Sequence, residues 1–323
     1  MVTVIVVSHN SREDLKICLD SIAKQKVVPE RVIVVDSASD DDSVDVALGS
    51  GVEAMGLCEN LGFGGAFNRA LPAVRTPWIL LMNPDIRLDA HFLKEVYRAI
   101  QRNESKPIAS IQGKLLRAEG PELTPTPFLD STGIHFTPSL RHLDRGSGEE
   151  DQGQFEEENF IFGPTGACAI YRTSALMEIG GFDEDFFMYR EDADLAWRLQ
   201  WAGYSCLYLP SARAWHRRRV LPERRRNLPA WINYHSVKNR FLLRLNNQTL
   251  SHFILTLPLS LPRDLGIILY CLLRERSSLK AYPYVVKNLS RLYRKRRAFL
   301  SRRKIPTRSI LPWFWGRKCV SPS

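Results

Sequence analysis

The chain has 323 residues, of which 44% are hydrophobic and 25% charged, with 19 Gly and 19 Pro. This is ordinary globular usage, and it excludes collagen-like, low-complexity and wholly disordered chains. The net charge of +10 is divided unevenly, because residues 1–216 hold 20 Lys and Arg against 32 Asp and Glu, whereas residues 217–323 hold 25 against 3. The sequence therefore predicts an acidic unit followed by a strongly basic region.

Hydrophobic periodicity predicts strands that alternate with helices along the first 82 residues. Such alternation predicts an α/β fold with a Rossmann-like, mostly parallel sheet that helices cover on both faces. The predicted strands are 2–7, 31–35, 52–57 and 78–82, and the helices between them are 12–25, 37–48 and 60–71. Further along, the pattern predicts strands at 167–172 and 205–209 and helices at 191–201, 229–245, 265–275 and 279–300.

Residues 119–159 are rich in Pro, Gly, Thr and acidic residues, which predicts a long surface excursion with about one hairpin. We expect a variable loop there rather than a domain. The predicted organisation is an α/β unit at residues 1–216 that carries this loop, followed by a basic, mostly helical region at residues 217–323.

The six cysteines include no C-x-x-C pair and no regular spacing, which argues against a zinc cage and a disulfide framework. We therefore expect reduced thiols and a cytoplasmic location. No basic segment precedes an apolar run at the N-terminus, so we expect no signal peptide. Pro258, Pro262, Arg263 and Asp264 interrupt the apolar stretch at 253–273, so we expect no membrane-spanning helix.

Ligands of parallel α/β sheets bind beyond the carboxyl ends of the strands, so the polar residues that directly follow strands are candidates. Asn83-Pro84-Asp85 ends the most apolar strand, where a carboxylate would project into the crevice. Mg²⁺ and Mn²⁺ bind through one or two carboxylates together with substrate phosphates, which makes Asp85 a candidate metal ligand. The same tripeptide is also good turn chemistry, and the residues alone leave both interpretations open.

Glu191-Asp192-Ala193-Asp194 begins a predicted helix, where acidic residues also complement the helix dipole. A glycine turn at 180–181 and apolar residues at 186–189 precede it, and they would hold a carboxylate beside a dry pocket. Burial of that kind raises the pKa of a carboxyl group and makes it a competent general base. A single base suits displacement at a sugar carbon by an acceptor hydroxyl, whereas a hydrolase needs an acid and a base.

Three further features have two interpretations each. The glycine-rich segment 62–68 follows the third strand and lacks the third glycine of G-x-G-x-x-G, so it is a weak dinucleotide fingerprint. Asp36 fits a ribose hydroxyl or a base imide, and equally a helix cap. His216, beside Trp215, fits a metal ligand or an ordinary aromatic-edge histidine.

Seven motifs taken in order resemble the family 2 glycosyltransferases, and most of all their bacterial rhamnosyltransferase-like branch. The resemblance covers about residues 2–245 and implies the GT-A fold, a divalent metal (Mg²⁺ or Mn²⁺), and transfer of a sugar with inversion from a nucleotide diphosphate donor. The motifs are Val7-Ser8-His9-Asn10, Val34-Val35-Asp36-Ser37-Ala38-Ser39-Asp40, Glu59-Asn60-Leu61-Gly62-Phe63-Gly64-Gly65, Asn83-Pro84-Asp85, Gly166-Ala167-Cys168, Gly180-Gly181-Phe182-Asp183-Glu184 and Glu191-Asp192-Ala193-Asp194.

By motif, the resemblance implies that Asp192 is the catalytic base, that Glu191 and Asp194 support it or the acceptor, and that Asp85 and His216 hold the metal. Asn83 stands where many relatives have Asp, which lowers the charge at the metal. The resemblance favours a dTDP- or UDP-linked donor, with rhamnose as the sugar, and a glycan or polyprenyl-linked acceptor in cell-envelope polysaccharide synthesis. The implied donor-binding residues are Ser8, Asn10, Asp36, Asn60, Gly64, Asn83 and Asp85.

Basic residues after position 217 alternate with Leu, Ile, Tyr and Trp, which is typical of amphipathic helices at a membrane interface. We expect a peripheral location on the anionic inner face of the cell membrane and no nucleic-acid partner. A purely structural helical cap and nucleic-acid binding are the alternatives for this region. For the whole chain, the alternatives are a noncatalytic nucleotide-sugar or nucleic-acid binding module and a nucleotide-dependent oxidoreductase.

Overall fold

The computed structural model describes residues 1–218 and 228–316. The basic region contains arginine clusters at 217–219 and 224–226 and the pair Arg317-Lys318. The first of these is described through Arg218, and the other two lie outside the described residues.

The N-terminal part is a parallel sheet. Strand β1 (Val2–Ser8) pairs in parallel with β2 (Arg31–Asp36) and with β4 (Trp78–Met82), and β2 pairs in parallel with β3 (Glu53–Gly56). Strands β1 and β4 are buried along their whole length, as expected where apolar residues face helices on both sides of a sheet. The α/β architecture predicted from the sequence is confirmed in this part.

Helices cover both faces of this sheet and form two separate core clusters. Helices α1 (Arg12–Ala23), α2 (Ser43–Gly49) and α4 (Phe92–Arg102) contribute to one cluster. Helices α3 (Gly62–Ala70) and α5 (Thr173–Ile179) contribute to the other. Apolar residues of the central strands alternate between the two clusters, which fixes the sheet between its helical layers.

Beyond β4 the sheet becomes mixed. The added strands are β5 (Ile86–Leu88), β6 (Ile108–Glu119), β7 (Thr124–Ser131), β10 (Asn159–Ile161), β11 (Cys168–Arg172) and β12 (Ser205–His216). Strand β11 runs antiparallel to both β4 and β6, and β12 runs parallel to β6. The order across the sheet is β10-β12-β6-β11-β4-β1-β2-β3, with β5 on β12 and β7 on β6.

The prediction of a surface excursion at 119–159 is wrong. Strand β7 forms a hairpin with β6, and a second hairpin joins β8 (Ile134–Phe136) to β9 (His142–Asp144). Leu129 is fully buried, and Phe136 is in ring contact with Trp197 and Phe314. Polar and turn residues dominate the composition here, but a few large apolar side chains anchor the segment in the core.

The basic region folds onto the α/β unit through a shared apolar core. Its helices include α7 (Ala230–Asn247), α9 (Ala281–Lys287), α10 (Leu289–Leu300) and α11 (Thr307–Ile310). Leu242 of α7, Leu292 of α10 and Phe314 pack in one cluster with Trp197, which lies on helix α6 (Glu191–Trp201) of the α/β unit. The predicted boundary at 216/217 therefore separates two charge regimes that share a core.

Ion pairs reinforce this packing. Lys295 contacts Asp183 at 2.7 Å and also contacts Asp185, while Arg291 lies 2.7 Å from Asp185. Lys304 lies 2.7 Å from Glu178. Part of the positive charge of the basic region is thus neutralised by the acidic unit, as the structural-cap alternative expects.

Helix α8 (Leu250–Arg274) differs from its prediction. The sequence predicts that Pro258 and Pro262 break this stretch into short pieces, but both prolines lie inside one continuous helix of 25 residues. A proline removes one backbone hydrogen bond and crowds the preceding turn, and the remaining bonds and contacts hold the helix together. By length and composition alone, α8 is long and apolar enough to cross a membrane.

We expect Phe314→Ala to lower the free energy of unfolding by about 3–5 kcal/mol, because it empties a fully buried aromatic site. Phe314 contacts rings from both the α/β unit and the basic region, so both should lose stability together. Urea unfolding followed by tryptophan fluorescence and circular dichroism measures this. Trp315→Ala, at a side chain that is 39% exposed, is the control, and equal midpoints for the two variants would contradict the shared core.

Candidate active site

The polar residues after β1 and β2 form one hydrogen-bonded rim. The Oδ1 atom of Asn10 accepts from the backbone N–H of Asp40 at 2.8 Å, and the N–H of Asn10 donates to Ser39 Oγ at 2.8 Å. Both carboxylate oxygens of Asp36 accept from Ser39, one from its hydroxyl at 2.6 Å and one from its N–H at 2.9 Å. These contacts bring Asn10 and Asp36 together at the carboxyl edge of the sheet.

Asn60 joins the same rim from the end of β3. Its Oδ1 accepts from the Ser37 hydroxyl at 3.2 Å and from the N–H of Gly62 at 2.9 Å. Because Ser37 follows β2 directly, Asn60 lies beside the Asp36 turn. The predicted nucleoside-facing residues Asp36 and Asn60 are therefore neighbours, although each already has partners within the chain.

The structure gives two other predicted donor residues a different setting. Ser8 is completely buried at the end of β1, so its side chain offers no surface to a ligand in this structure. Gly64 lies in α3 against Phe182, and an added Cβ would lie 2.8 Å from Phe182 Cβ. Close helix packing, rather than a phosphate cradle, accounts for this glycine.

Two neighbouring backbone groups join the Asp85 turn to the start of α6. The N–H of Asn83 donates to the carbonyl of Ala167 at 2.9 Å. The N–H of Gly166, the preceding residue, donates to Asp192 Oδ2 at 2.9 Å. The Asp85 turn and Asp192, which are 107 positions apart in the sequence, therefore contact neighbouring residues of one short segment.

His216 lies between two carboxylates at the end of β12. Its Nε2 is 3.4 Å from Asp85 Oδ1, and its Nδ1 is 2.7 Å from Asp130 Oδ2. Burial opposes a charged imidazole, but the charges of Asp85 and Asp130 outweigh that cost and raise the pKa of His216 to about 10. Asp85 and His216 are thus brought together, and Asp130 contacts the opposite side of the imidazole ring.

Arg218 extends this cluster towards the second hairpin. Its Nε lies 2.8 Å from Asp130 Oδ1, and its Nη2 lies 2.8 Å from Asp144 Oδ2. Burial raises the pKa of Asp130, but the neighbouring charges of His216 and Arg218 have the larger combined effect and lower it. Asp130 is therefore a permanent carboxylate behind the imidazole.

Asp85 fits a divalent cation that completes its shell from elsewhere, whereas His216, with its pKa raised to about 10, could become a ligand only by losing its Nε2 proton as the cation binds. Within residues 1–218 and 228–316, no group of three or more His, Cys, Asp or Glu could hold a metal. A carboxylate that orients the far side of a histidine ring is a common outer-shell feature of metal sites, and Asp130 occupies that position. Mg²⁺ and Mn²⁺ usually take few protein ligands, with water and substrate phosphates supplying the rest.

The first turn of α6 presents two carboxyl groups with different environments. Asp192 is partly exposed, and its oxygens accept from Gly166 N–H at 2.9 Å and from Ala193 N–H at 2.7 Å. Glu191 is buried, and burial together with the charge of Asp192 raises its pKa to about 8. Glu191 is therefore mostly neutral at pH 7, and Asp192 is the more accessible of the two carboxyl groups.

Asp194 lies away from this cleft. Its carboxylate is fully buried and accepts from Arg198 Nε at 2.7 Å, from Asn247 Nδ2 at 2.7 Å and from Asn246 Nδ2 at 2.9 Å. These partners join α6 to the C-terminal end of α7. The structure thus corrects the expectation that Asp194 supports the base or the acceptor, because its contacts tie helices together.

The loop before α6 has an unusual backbone. Phe187, Tyr189 and Arg190 have φ angles of 64°, 64° and 70°, which is a left-handed conformation that costs free energy for residues with a side chain. Asn239 of α7 holds this loop, because its Nδ2 donates to the carbonyls of Phe186, Met188 and Tyr189 at 2.8, 2.6 and 2.9 Å. A residue of the basic region therefore shapes the entry to the candidate base.

The same loop touches the start of α3. The N–H of Phe63 donates to the carbonyl of Phe187 at 2.9 Å. Gly62 has φ +70°, and an added Cβ would lie 2.1 Å from that carbonyl oxygen. This position requires glycine because the two backbones approach so closely.

Sequence reasoning missed three residues at this site. Asp130 and His142 lie in the segment that composition assigned to a loop, and Asn239 lies in the region assigned to surface association. Burial lowers the pKa of His142, and the charges of Asp192, Arg190, Asp144 and Arg218 act on the same ring. No local pattern marks these residues, since only the hairpins and α7 bring them to the cleft.

The sequence model of the family described as "Glycosyl transferase family 2" matches residues 3–180, over half of the 323-residue chain. The chain is 27% identical over 232 residues to N-acetylglucosaminyl-diphospho-decaprenol L-rhamnosyltransferase of Mycobacterium tuberculosis, a match that covers 66% of this chain and 75% of the relative. It is 23% identical over 203 residues to the low-salt glycan biosynthesis hexosyltransferase Agl10 of Haloferax volcanii, covering 61% of this chain and 60% of the relative.

Three solved structures illustrate the similarity of fold. Residues 1–349 of S. aureus TarS in complex with UDP-GlcNAc superpose with a TM-score of 0.56 at 18% identity, covering 93% of this chain and 88% of that one. GalNAc-T7 with UDP, GalNAc and Mn²⁺ gives a TM-score of 0.59 at 13% identity, covering 76% of this chain and 48% of that one. The mannosyltransferase PcManGT of Pyrobaculum calidifontis, in complex with GDP-Man and Mn²⁺, gives 0.52 at 15% identity, covering 93% and 85%.

The environment of Glu191 predicts a pH dependence of stability. Its pKa is raised to about 8 in the folded protein, from an ordinary value of 4.5. Between these values the folded state binds more protons than the unfolded state, so the contribution of Glu191 is complete below about pH 4.5 and is lost as the pH rises through 8. As the pH rises from 5 to about 8, we expect the free energy of unfolding to fall less for Glu191→Gln than for the native chain.

Urea unfolding at a series of pH values measures this difference. Glu13→Gln is the control, because the Glu13 side chain is 80% exposed, and its curve should run parallel to that of the native chain. Parallel curves for Glu191→Gln and the native chain would show that Glu191 is ionised when folded.

Proposed function

The chain belongs to glycosyl transferase family 2 and has the GT-A fold, and from this premise we propose that it moves rhamnose from a dTDP- or UDP-linked donor to a polyprenyl-diphosphate-linked glycan. The sugar and the acceptor are suggested by the rhamnosyltransferase of M. tuberculosis, which is named for both. Membership of this family excludes the nucleotide-dependent oxidoreductase that the sequence analysis gave as an alternative. Only a measurement of turnover distinguishes an active transferase from a noncatalytic binding module.

One observation carries the proposal, namely the segment Gly166-Ala167, whose two backbone groups contact the Asp85 turn and Asp192. Sugar transfer needs a group that stabilises the leaving diphosphate and another that accepts the proton of the attacking hydroxyl. Two carboxylates held across one short segment suit these separate duties. Asn10, Asp36 and Asn60, at the adjoining edge of the sheet, would bind the nucleoside.

In the proposed reaction, the acceptor hydroxyl attacks the anomeric carbon of the donor from the face opposite the diphosphate. A carbon–oxygen bond forms to the acceptor, the bond to the diphosphate breaks, and the diphosphate leaves with the electron pair. The hydroxyl proton passes to the carboxylate of Asp192. The product therefore has the opposite anomeric configuration to the donor.

The surroundings of Asp192 suit a base. Glu191 keeps its proton at neutral pH, since its pKa is raised to about 8, and two adjoining carboxylates disfavour ionising together. The N–H groups of Gly166 and Ala193 fix the direction of the Asp192 carboxylate. Asn239 holds the preceding loop, so the carboxylate stays in place as the acceptor enters.

Asp85 would hold Mg²⁺ or Mn²⁺, and His216 would join it as a second ligand once its Nε2 proton is released to solvent on cation binding. When bound, such a cation neutralises charge that develops on the leaving diphosphate. Asp130 would orient the His216 ring through Nδ1, so that Nε2 faces the same space as Asp85. Mn²⁺ accompanies nucleotide or nucleotide sugar in GalNAc-T7 and PcManGT, which supports the choice of cation.

The two carboxylates should respond differently to substitution. We expect Asp192→Asn to lower turnover by about 10²- to 10⁴-fold, because the base is lost, while donor affinity stays nearly unchanged. We expect Asp85→Asn to weaken Mn²⁺-dependent donor binding by about tenfold or more, because a charged ligand is lost. Transfer from dTDP-rhamnose and a panel of UDP-sugars to a lipid-diphosphate-linked GlcNAc, with calorimetry of donor binding, measures both.

Asp20→Asn, an exposed aspartate of α1, serves as the control, and thermal melts establish that each variant folds. Unchanged turnover in Asp192→Asn would refute the assignment of the base. No transfer and no donor hydrolysis with any nucleotide sugar would favour a binding module. NMR of the glycoside formed reports whether the anomeric configuration is inverted.

We further propose that the protein lies on the anionic inner face of the membrane, with α8 in the interface. The inward stripe of α8 contains the buried polar residues His252, Thr256 and Ser260, whereas Leu259, Leu265 and Leu269 on other faces are about half exposed, at 49%, 57% and 56%. This is the reverse of an ordinary surface helix, which buries its apolar side. An apolar outward face beside a basic region suits a lipid surface.

Charged residues in the middle of α8 favour a helix that lies along the membrane over one that crosses it. Asp264 forms ion pairs with Arg240 and Arg244 of α7, and Arg263 donates to the Ser139 carbonyl at 3.2 Å. A spanning orientation would place these groups near the bilayer centre at a cost of several kcal/mol. It would also separate α8 from the helix on which it packs.

Vesicle binding tests the α8 surface. We expect Leu265→Asp with Leu269→Asp to weaken sedimentation with vesicles of phosphatidylcholine and 30% phosphatidylglycerol by about tenfold or more, because each exposed leucine would contribute about 1.5–3 kcal/mol when buried in lipid. Leu48→Asp is the matched control, since Leu48 is a leucine of the α/β unit with 58% exposure. Equal binding by the double variant and the control would exclude α8 as the contact.

A further inference from the structure

A cavity of about 310 Å³ lies between α7 and α8, beside the loop that leads to Asp192. Three arginines from three different elements line it, namely Arg190 from the loop, Arg240 from α7 and Arg263 from α8. Tyr270 and Ser236 add hydroxyl groups to the wall. Arginines rarely converge on one partly buried cavity without an anion, because their charges repel and lose part of their solvation there.

Arg240 has unused hydrogen-bonding capacity. Its side chain is 4% exposed, and its Nε and Nη1 have no hydrogen-bond acceptor among residues 1–218 and 228–316. Its Nη2 pairs with Asp264, but Arg244 shares that carboxylate. A buried guanidinium with two idle nitrogens is costly unless a ligand accepts from it.

Several positive charges surround Arg240 and Arg263, and Asp264 supplies the negative charge that opposes them. Burial and the nearby charges of Arg240, Arg190 and Arg141 lower the pKa of Arg263 to about 9, while only Asp264 opposes them among the main contributors. Burial and the charge of Arg244 also lower the pKa of Arg240 against the effect of Asp264. Both arginines would regain a favourable environment with an anion that carries more than one charge.

The position of the cavity indicates which anion. Arg190 directly precedes Glu191 and Asp192, so a group bound here lies near the proposed base. One wall is α8, whose outward face is apolar. None of the strand-end residues Asn10, Asp36 and Asn60 lines the cavity, which separates it from the proposed nucleoside site.

We infer that this arginine pocket binds the diphosphate of the lipid-linked acceptor, with the lipid chain leaving along α8. The inference rests on the proposed function and names the part of the acceptor that the chain recognises. The guanidinium groups would bind the diphosphate oxygens in pairs, as their planar forks allow. Binding there would hold the first sugar of the acceptor beside Asp192.

Calorimetric binding of farnesyl diphosphate to the full chain tests the pocket, with farnesol as the ligand that lacks only the anion and UDP as a second source of diphosphate. We expect farnesyl diphosphate to bind and farnesol to bind at least tenfold more weakly. Arg263→Gln and Arg240→Gln should each weaken the binding of farnesyl diphosphate by about tenfold or more and leave the binding of UDP unchanged. Arg274→Gln removes the same charge from the exposed end of α8 and should bind both ligands like the native chain.

Two results would overturn the inference. If Arg263→Gln binds farnesyl diphosphate as Arg274→Gln does, the pocket does not hold the acceptor. If Arg263→Gln weakens the binding of UDP and of farnesyl diphosphate by the same factor, the pocket binds the donor diphosphate instead. Should Arg240→Gln fail to fold by thermal melt, the partly exposed Arg263 decides the question alone.

Transfer assays separate this inference from the proposed function. With a diphosphate-linked GlcNAc acceptor, Arg263→Gln should raise KM about tenfold, whereas with octyl β-GlcNAc, which has no diphosphate, KM should be unchanged. Transfer with equal KM changes for both acceptors would refute the pocket and leave the function intact. Binding of farnesyl diphosphate without any sugar transfer would refute the function and leave the pocket intact.

Discussion

The peptide segment Gly166-Ala167 is the constraint on which the site depends. One of its groups accepts from the turn that ends β4, and the other donates to the first turn of α6. Because β11 is hydrogen-bonded to β4 immediately afterwards, the segment has little freedom to shift. The turn that contains Asp85 and the carboxylate of Asp192 are therefore both hydrogen-bonded to one segment that the sheet fixes.

The local parts of this arrangement could be predicted from the sequence, and the long-range parts could not. Strand β4 and helix α6 match their predicted ranges in full because strong apolar periodicity and an acidic first turn mark them. The partnership of Asp130 with His216 spans 86 positions, and no local pattern encodes it. The prediction for the segment 119–159 is wrong because its composition is dominated by turn residues, whereas the few apolar side chains of two hairpins reach the core.

Ion pairs within the fold explain part of the uneven distribution of charge along the chain. Lys295, Arg291 and Lys304 form ion pairs with acidic residues of the α/β unit, so part of the charge of the basic region is complemented within the fold. Arg240 and Arg263, between α7 and α8, are different, because Asp264 is the carboxylate that acts on both of them and it also pairs with Arg244. Composition could indicate an excess of positive charge, but only the packing of α7 against α8 shows where that excess is enclosed.

The prolines of α8 also limit how deeply that helix could enter a lipid layer. Proline has no backbone N–H, so Pro258 and Pro262 leave the carbonyls of Ile254 and Pro258 without their usual helical donors. A carbonyl stripped of any donor costs several kcal/mol in hydrocarbon, whereas water among the lipid headgroups satisfies it. Since both prolines are exposed, these oxygens would keep α8 at the hydrated level of the headgroups.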